Sequence, residues 1–375
     1  MGLKERIRET AAMVGFDLVG VTSAAPMPEA ERSGLAALRS GLLEGMGWIT
    51  EERIRLSCDP SRLLPGARSA IVLGKSYPVA GFPESLPIDD EPRGRVARYA
   101  WGDDYHDVFP PRMVRLVDAL AASTGRRPTA RFFVDSGPLA EKALAARAGL
   151  GWFGKNGCIL TPGYGSWVLL AEILTDLELE PDPPLRRDCG RCRICIHSCP
   201  TGALVAPYVV DARRCVSYLT IEHRGAIPRE LRPAIGDRVF GCDVCQEVCP
   251  HNRLDKPAID PALVARSGVG PILALIPLLG LDGDGFKRLF RGSPVLRAKR
   301  RGFLRNVAVA LGNARDPAAV PALASALTDE EPLVRSHAAW ALGRIGGAAA
   351  RLALERALAR EGDEGVQGEI RLALG

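Results

Sequence analysis

The chain has 375 residues, 47% hydrophobic and 25% charged, with a net charge of only +5. That length exceeds a single core and predicts two or three globular domains. No uninterrupted apolar run reaches the roughly 18–20 residues that span a bilayer, which excludes a transmembrane helix and predicts a soluble protein, and the mild net charge by itself names no polyanionic partner.

In chain order, Leu3, Ile7, Ala11 and Val14 share one helical face, Gly15 ends that pattern, and Phe16 to Val21 predicts a strand. A second helix is expected over 29–44. Ser69 to Tyr77 has the pattern of a buried strand, 78–92 is a loop rich in proline and acid, and 95–100 reads as a further strand. Met113, Leu116, Val117 and Leu120 mark a helix over 111–123. This alternation of helix and strand predicts an α/β or α+β sheet domain.

Arg131-Phe-Phe-Val-Asp-Ser-Gly-Pro138 delivers Asp135 to the end of a strand, with Pro138 suited to the first position of a helix running to Arg147 and stopped by Gly149. An acid at a strand end beside a helix start is either a turn cap or a site residue. Burial beside Phe132 and Phe133 would raise its pKa and make it a proton donor. Gly149-x-Gly151-x-x-Gly154-Lys155-Asn156-Gly157 spells the dinucleotide fingerprint, but the helix precedes the glycines instead of following them, which argues against nicotinamide or flavin binding. Residues 166–174 read as a buried strand, and the prolines of 180–184 as a boundary.

Eight of the ten cysteines follow: Cys189-x2-Cys192-x2-Cys195-x3-Cys199-Pro200, then Cys215, then Cys242-x2-Cys245-x3-Cys249-Pro250. In two-cluster ferredoxins the fourth cysteine of such a run ligates the other cluster. That rule assigns Cys189, Cys192, Cys195 and Cys249 to one [4Fe-4S] cluster and Cys199, Cys215, Cys242 and Cys245 to a second. Zinc sites favour paired CxxC or Cys with His, and disulfides need an export signal that the charged start Met1-Gly-Leu-Lys-Glu-Arg does not provide. Cys58 and Cys158 stand outside the pattern and read as packing residues.

From Lys287 to Arg305 there are eight Lys or Arg residues and no acid, a candidate phosphate-binding strip. Beyond it a motif recurs: residues 303–312, 334–343 and 366–375 each end in Ala-Leu-Gly, at spacings of 31 and 32, with second helices expected over 319–327 and 350–358. Paired helices at such a period predict a short HEAT-like solenoid.

The ordered combination of RLLPGARSAIVLG (62–74), RYAWGDDYHDV (98–108), VDSGPLAEKALAARAGLGWFGKN, CxxCxxCxxxCPTGAL and GCDVCQEVCP with a HEAT-like tail resembles the epoxyqueuosine reductase family across essentially the whole chain. The resemblance implies an α+β fold with a corrinoid-binding sheet domain over 1–182, a ferredoxin-like domain with two [4Fe-4S] clusters over 183–260, a basic connecting segment over 261–302 and HEAT-like repeats over 303–375. It implies reduction of the epoxide of epoxyqueuosine at the tRNA wobble position, with cobalamin and two clusters as cofactors. Asp135 matches the family's proton donor. Arg98, Asn156, Ser217 and Asp243, with Asp135, are candidates for the corrinoid pocket, and Arg297, Lys299, Arg300, Arg301 and Arg305 for tRNA. The cobalamin-binding motif DxHxxG is absent, since Asp104-Tyr105-His106 runs on into Asp107, Val108 and Phe109. An external low-potential electron donor, a monomer, no membrane and a cytoplasmic location are expected. The competing readings are a cytosolic corrinoid reductive dehalogenase, which needs neither strip nor solenoid, and an electron carrier, which leaves residues 1–185 idle.

Overall fold

The computed structural model describes residues 2–77, 91–253, 260–266 and 269–375; most of the expected loop 78–92 lies outside these. The chain divides into two compact units, one of residues 1–80, 103–213 and 244–264, the other of 81–102, 214–243 and 265–375. These units cut across the four consecutive segments expected from the sequence, dividing 183–260 among themselves.

The first unit is built on a four-stranded sheet. Ser69–Ser76 pairs with Leu18–Ser23 on one side and Val168–Thr175 on the other, and Val168–Thr175 also pairs with Ala130–Phe133, every pairing antiparallel. The sheet domain is therefore α+β. Ser69–Ser76 is buried at all its positions because it lies inside the sheet with both faces covered. On one face Ala70, Val72, Phe133 and Leu174 pack with Leu144, Ala145 and Ala148 around the helix Glu141–Arg147. Alternation sends Ile71, Leu73 and Ile173, all fully buried, to the other face. There lie the helices Leu3–Met13 and Tyr105–Thr124, with Phe16 and Phe109 edge to face at 5.3 Å.

Several boundaries differ from the sequence reading. The second helix is Pro28–Arg39. The strand expected at 95–100 is Arg93–Val96 in the second unit. The helix expected from 111 starts at Tyr105 and carries Pro110 and Pro111 inside it, because the Asp104 carboxylate caps the His106 N–H at 3.0 Å and fixes an earlier start. The helix expected from Pro138 begins only at Glu141, since residues 134–140 form a turn in which Asp135 has a φ of 54°. Of the fingerprint glycines, Gly149 and Gly151 precede a hairpin of Trp152–Phe153 with Ile159–Leu160 and Gly154 lies in its turn, with no helix directly after them.

In the second unit, Arg93–Val96 pairs parallel with Arg238–Phe240 and antiparallel with Ile272–Ala274. The repeats form as expected: Lys299–Ala314, Pro332–Ile345 and Glu364–Leu374 alternate with Val320–Ala326 and Gly347–Leu358. The recurring glycine has a packing cause. A Cβ on Gly312 would come within 2.8 Å of the Ala341 Cα, and one on Gly343 within 2.9 Å of the Ala373 Cα. The first two Ala-Leu-Gly motifs thus let the next repeat's helix approach backbone to backbone, so the period in sequence is a period of close contact.

Arg305, expected to bind tRNA, is fully buried here. Its guanidinium donates to the carbonyls of Leu219, His223 and Gly225 and to Asn306 Oδ1, while Asn306 Nδ2 donates to the carbonyls of Thr220 and Val239. Burial pushes the guanidinium down to about 9, assisted by the charges of Arg224 and Arg301. The side chain therefore joins segment 219–225 to the first repeat helix and is not available to phosphate. Arg305→Ala leaves several buried carbonyls without donors, at about 1–3 kcal/mol each. Thermal melts are expected to show a large loss of stability for Arg305→Ala and almost none for the exposed Arg301→Ala.

Candidate iron–sulfur centre and acidic site

In the first unit, Cys189, Cys192, Cys195 and Cys249 line one cavity together with Lys155, Asn156 and His251. Burial raises the Cys195 thiol, and the neighbouring charges of Cys249, Cys189 and Cys192 raise it further. Burial likewise raises Cys249, which feels Cys189, Cys192 and Cys158. No three donors among the described residues are gathered for a single metal ion, and four cysteines around one cavity fit the wider span of an iron–sulfur cluster.

Neighbouring side chains hold these loops. The buried Lys155 ammonium donates to the carbonyls of Gly190 at 2.5 Å and Cys192 at 2.9 Å. Asn156 accepts the Cys158 N–H at 3.2 Å and donates to the Cys245 carbonyl at 3.4 Å. Asn252 accepts the Ser166 N–H at 2.7 Å and donates to Ser166 Oγ and to the Gln246 carbonyl. A side chain on Gly165, whose φ is 56°, would overlap Asn252 Oδ1.

Of the second cysteine set, Cys199 and Cys245 belong to the first unit, Cys215 and Cys242 to the second. The Ala203 N–H donates to Cys199 Sγ at 3.2 Å, the kind of bond that tunes a cluster sulfur. Cys58 packs in the apolar core, as expected. Cys158 is half-buried and close enough to Cys249 to raise it, so it borders the cysteine cavity rather than a simple core.

Asp135 follows the strand Ala130–Phe133, and its side chain is 55% exposed, so the expected burial beside Phe132 and Phe133 is not found. The left-handed turn swings it off the sheet, and the sheet's antiparallel order removes the parallel-strand argument for a site there. Nor is Asp135 a helix cap, since Ala140 holds that position. The Tyr105 hydroxyl donates to Asp135 Oδ2 at 2.8 Å, and His106 Nε2 lies 3.8 Å from the same oxygen. His106 Nδ1 is 2.7 Å from Asp104 Oδ1. One carboxyl oxygen is held while the side chain stays open to solvent. Tyr105 and His106 lie in the motif RYAWGDDYHDV, which by itself shows no role for them, because only the fold brings them to a residue about thirty positions away.

Behind this turn stand two further acids that the sequence did not single out. Glu141 Oε1 accepts the Asp135 N–H at 2.6 Å, fixing the turn. Glu172 lies in the register Phe133↔Glu172 and Val72↔Glu172, fully buried on the apolar face. Neither of its oxygens has a partner at ordinary hydrogen-bond distance among the described residues. Burial, then the charge of Glu141, raises Glu172 well above the ordinary carboxyl range. Burial, then Asp135, pushes Glu141 up to about 7. Glu172 therefore holds its proton to higher pH than an ordinary carboxyl does, facing Glu141.

Among the corrinoid candidates, Asp135 and Asn156 fall in the first unit. Arg98, Ser217 and Asp243 fall in the second, where Asp243 Oδ2 accepts the Arg98 N–H at 2.7 Å. Among the tRNA candidates, Arg297, Lys299 and Arg301 are exposed, whereas Arg300 is clamped by Asp329 at 2.5 Å and reaches Glu330. Arg297 pairs with Glu222, and Arg301 with Glu331 at 3.9 Å. The strip has no acid in sequence, but the fold returns acids to it from elsewhere.

A sheet domain with an acid at a strand end, joined to a cavity lined by four cysteines and to helical repeats, defines an iron–sulfur oxidoreductase with a binding module. Residues 188–252 match the 4Fe-4S double cluster binding domain, 58–136 match Epoxyqueuosine reductase QueG, DUF1730, and 295–375 match HEAT repeats. The epoxyqueuosine reductase of Xanthomonas campestris is 41% identical over 91% of this chain and 96% of its own. A crystal structure of epoxyqueuosine reductase with an epoxyqueuosine-modified tRNA-Tyr stem loop is 36% identical with a TM-score of 0.92, covering 99% of this chain and 98% of that one. A Bacillus subtilis epoxyqueuosine reductase structure, whose catalytic aspartate loop is swung out of the active site, is 35% identical with a TM-score of 0.91 and the same coverage. The chain belongs to the epoxyqueuosine reductase family.

The acid pair makes stability depend on pH. Glu141 and Glu172 keep their protons in the folded state where the unfolded chain, titrating near 4.5, has lost them. Folding then takes up protons, so stability falls as pH rises above about 4.5, levelling near 7 for Glu141 and continuing higher for Glu172, by at most ~1.4 kcal/mol per pH unit for each proton. Glu172→Gln cannot ionise. Its urea midpoint relative to wild type is expected to rise steadily between about pH 5 and about pH 8; a constant difference across that range contradicts a protonated Glu172.

Proposed function

We propose that this chain reduces the epoxide of epoxyqueuosine in tRNA to the alkene of queuosine, with Asp135 as the proton donor. The observation that carries the residue assignment is the carboxyl of Asp135, tethered through one oxygen by Tyr105 while the side chain remains half exposed. Opening the ring and leaving an alkene consumes two electrons and two protons and releases water. The oxygen leaves readily as hydroxyl and poorly as oxide, so an acid at that oxygen lowers the barrier. Tyr105 orients the carboxyl, and Glu141 holds the backbone of its turn. His106, itself held by Asp104, is placed to return a proton to Asp135 Oδ2 after turnover.

The electrons enter from an external low-potential donor through two [4Fe-4S] clusters, with Cys189, Cys192, Cys195 and Cys249 holding one and Cys199, Cys215, Cys242 and Cys245 the other. Cobalamin, when bound, supplies a cobalt centre able to deliver the reducing equivalents to carbon. The polar set Arg98, Ser217 and Asp243 suits the amide rim of a corrinoid, and the missing DxHxxG motif offers the cobalt no histidine. Asn156 is already engaged at both ends by Cys158 and Cys245, so it supports the cluster loop first. The tRNA is held through phosphates by the exposed cations Arg297, Lys299 and Arg301, a contact that depends on salt. No described helix is long and apolar enough to cross a membrane, consistent with work on tRNA in the cytoplasm.

Asp135→Asn keeps the shape and loses the proton. It is expected to bind tRNA like wild type while single-turnover epoxide reduction falls by about 10²–10⁴-fold. Near-normal turnover would reduce Asp135 to a turn residue. In anaerobically purified protein, Cys192→Ala and Cys245→Ala are each expected to lower iron from about eight to about four per chain, each removing a different cluster; zinc in place of iron contradicts the cluster assignment.

A further inference from the structure

The four-cysteine cavity is bordered by a surface of unusual composition. Of the ten exposed large hydrophobic side chains among the described residues, four belong to this part of the first unit: Phe153, Ile194, Val205 and Tyr208. They are contiguous with the cysteines. Ile194 lies between Cys192 and Cys195. Phe153 and Tyr208 flank Lys155, whose carbonyl accepts the Tyr208 N–H at 3.1 Å and whose ammonium holds the cysteine loop. The Tyr208 hydroxyl reaches the backbone of Cys189. Val205 lies on the short hairpin Leu204–Ala206 with Val209–Val210, which packs against the helix Ile194–Ser198.

The same surface is strongly basic. Arg186, Arg187, Arg191 and Arg193 are all exposed, and none makes an ion pair among the described residues. Asp188 is the sole acid from 186 to 198, and its carboxylate is turned to the Gly190 N–H at 2.6 Å. Single exposed hydrophobics are ordinary; four beside one half-buried redox-ligand set, with arginines that have no acidic partner among the described residues (Arg187 lies over the Trp152 ring at 5.6 Å), are the apolar centre and charged rim of a transient protein interface.

We propose that this surface docks the external electron donor, a small acidic protein carrying a one-electron centre near its own surface. The inference rests on the reading that Cys189, Cys192, Cys195 and Cys249 hold a cluster. In the docked complex the donor is oxidised by one electron and that cluster is reduced by one, and two such encounters supply the two electrons of one turnover. The arginines steer the acidic partner, and Ile194, Val205 and Tyr208 hold it against the cysteine loop for the transfer. Nucleic acid needs the positive charge but has no use for exposed aliphatic side chains, which favours a protein partner.

The test is stopped-flow reduction of the clusters in the anaerobic holoprotein, followed by loss of visible absorbance, with a reduced acidic ferredoxin as donor and dithionite as a small-molecule control. For the wild type the ferredoxin rate is expected to fall steeply with ionic strength. Arg186→Glu/Arg193→Glu is expected to slow ferredoxin reduction by about tenfold or more at low salt. Val205→Asp, which adds negative charge on the hairpin that packs against the helix Ile194–Ser198, is expected to slow it as well. In both variants iron content, tRNA affinity and the extent of reduction by dithionite stay unchanged. A wild-type rate indifferent to salt, or variant rates equal to wild type with ferredoxin, overturns the proposal, as does a loss of tRNA affinity with unchanged ferredoxin kinetics, which makes the surface a nucleic-acid site. Absence of iron from the wild type would instead refute the cluster reading beneath it.

Discussion

Four thiolates in one small space repel each other, and the first unit is arranged around meeting that constraint. Burial and neighbouring thiolate charge both raise Cys195 and Cys249, so these two are poor anions until cations join them. The loops that bring them together have little regular structure of their own: one five-residue helix, Ile194–Ser198, and one of four, Val244–Glu247. Their shape is imposed instead by buried side chains on the sheet side, Lys155, Asn156 and Ser166, bonded to the backbone of the cysteine segments or, for Ser166, to Asn252, which follows Cys249 and itself donates to the Gln246 carbonyl. The sheet makes this possible, because Val168–Thr175 and the hairpin at 152–160 fix where those side chains start.

A similar tension operates at the acid. A carboxyl buried without a partner costs several kcal/mol if ionised, so a fold selected for stability alone would place leucine at Glu172. The protein keeps the acid and neutralises it, which gives Glu141 a neutral neighbour and leaves the Glu141 carboxyl directed at the Asp135 N–H. Asp135 itself sits in a left-handed conformation that an L-residue adopts at some cost. Strain in the turn, a buried acid behind it that faces another acid, and an open carboxyl at its tip occur close together in the fold. Local departures from the rules of stable packing concentrate where a site is held ready.

What could be read from the sequence follows from how local each constraint is. Cysteine spacing was legible because ligands to one cluster must lie within a few residues of each other, and the repeats because Gly312 and Gly343 serve the same close approach at the same period. The strand Ser69–Ser76 was legible because both its faces are buried. Glu172 was not, since its meaning depends on pairing with Phe133 across the sheet, nearly forty residues away. Tyr105 was not, since only the fold brings its hydroxyl to Asp135. Arg305 misled for the same reason: a strip of cations without acids looked uniformly solvated. The fold buried one member among carbonyls and brought Asp329, Glu330 and Glu331 back to two others.

Positive charge therefore stands in four distinct settings in this chain, and the company each cation keeps tells them apart. Arg305 is surrounded by carbonyls and acts as internal glue. Arg300 is matched by carboxylates, so its charge is largely spent within the repeats. Arg186, Arg187, Arg191 and Arg193 stand exposed beside aliphatic and aromatic side chains, while Lys299 stands exposed on a surface without such neighbours in its own segment. A phosphate backbone is recognised by charge alone, and a partner protein by charge around an apolar centre. Two polyanionic partners offered one undifferentiated basic surface would compete for it. On the two proposals above, an apolar centre beside Arg186, Arg187, Arg191 and Arg193 and a polar setting for Lys299 would let the chain discriminate between them, even though its net charge of +5 is too small to reveal either.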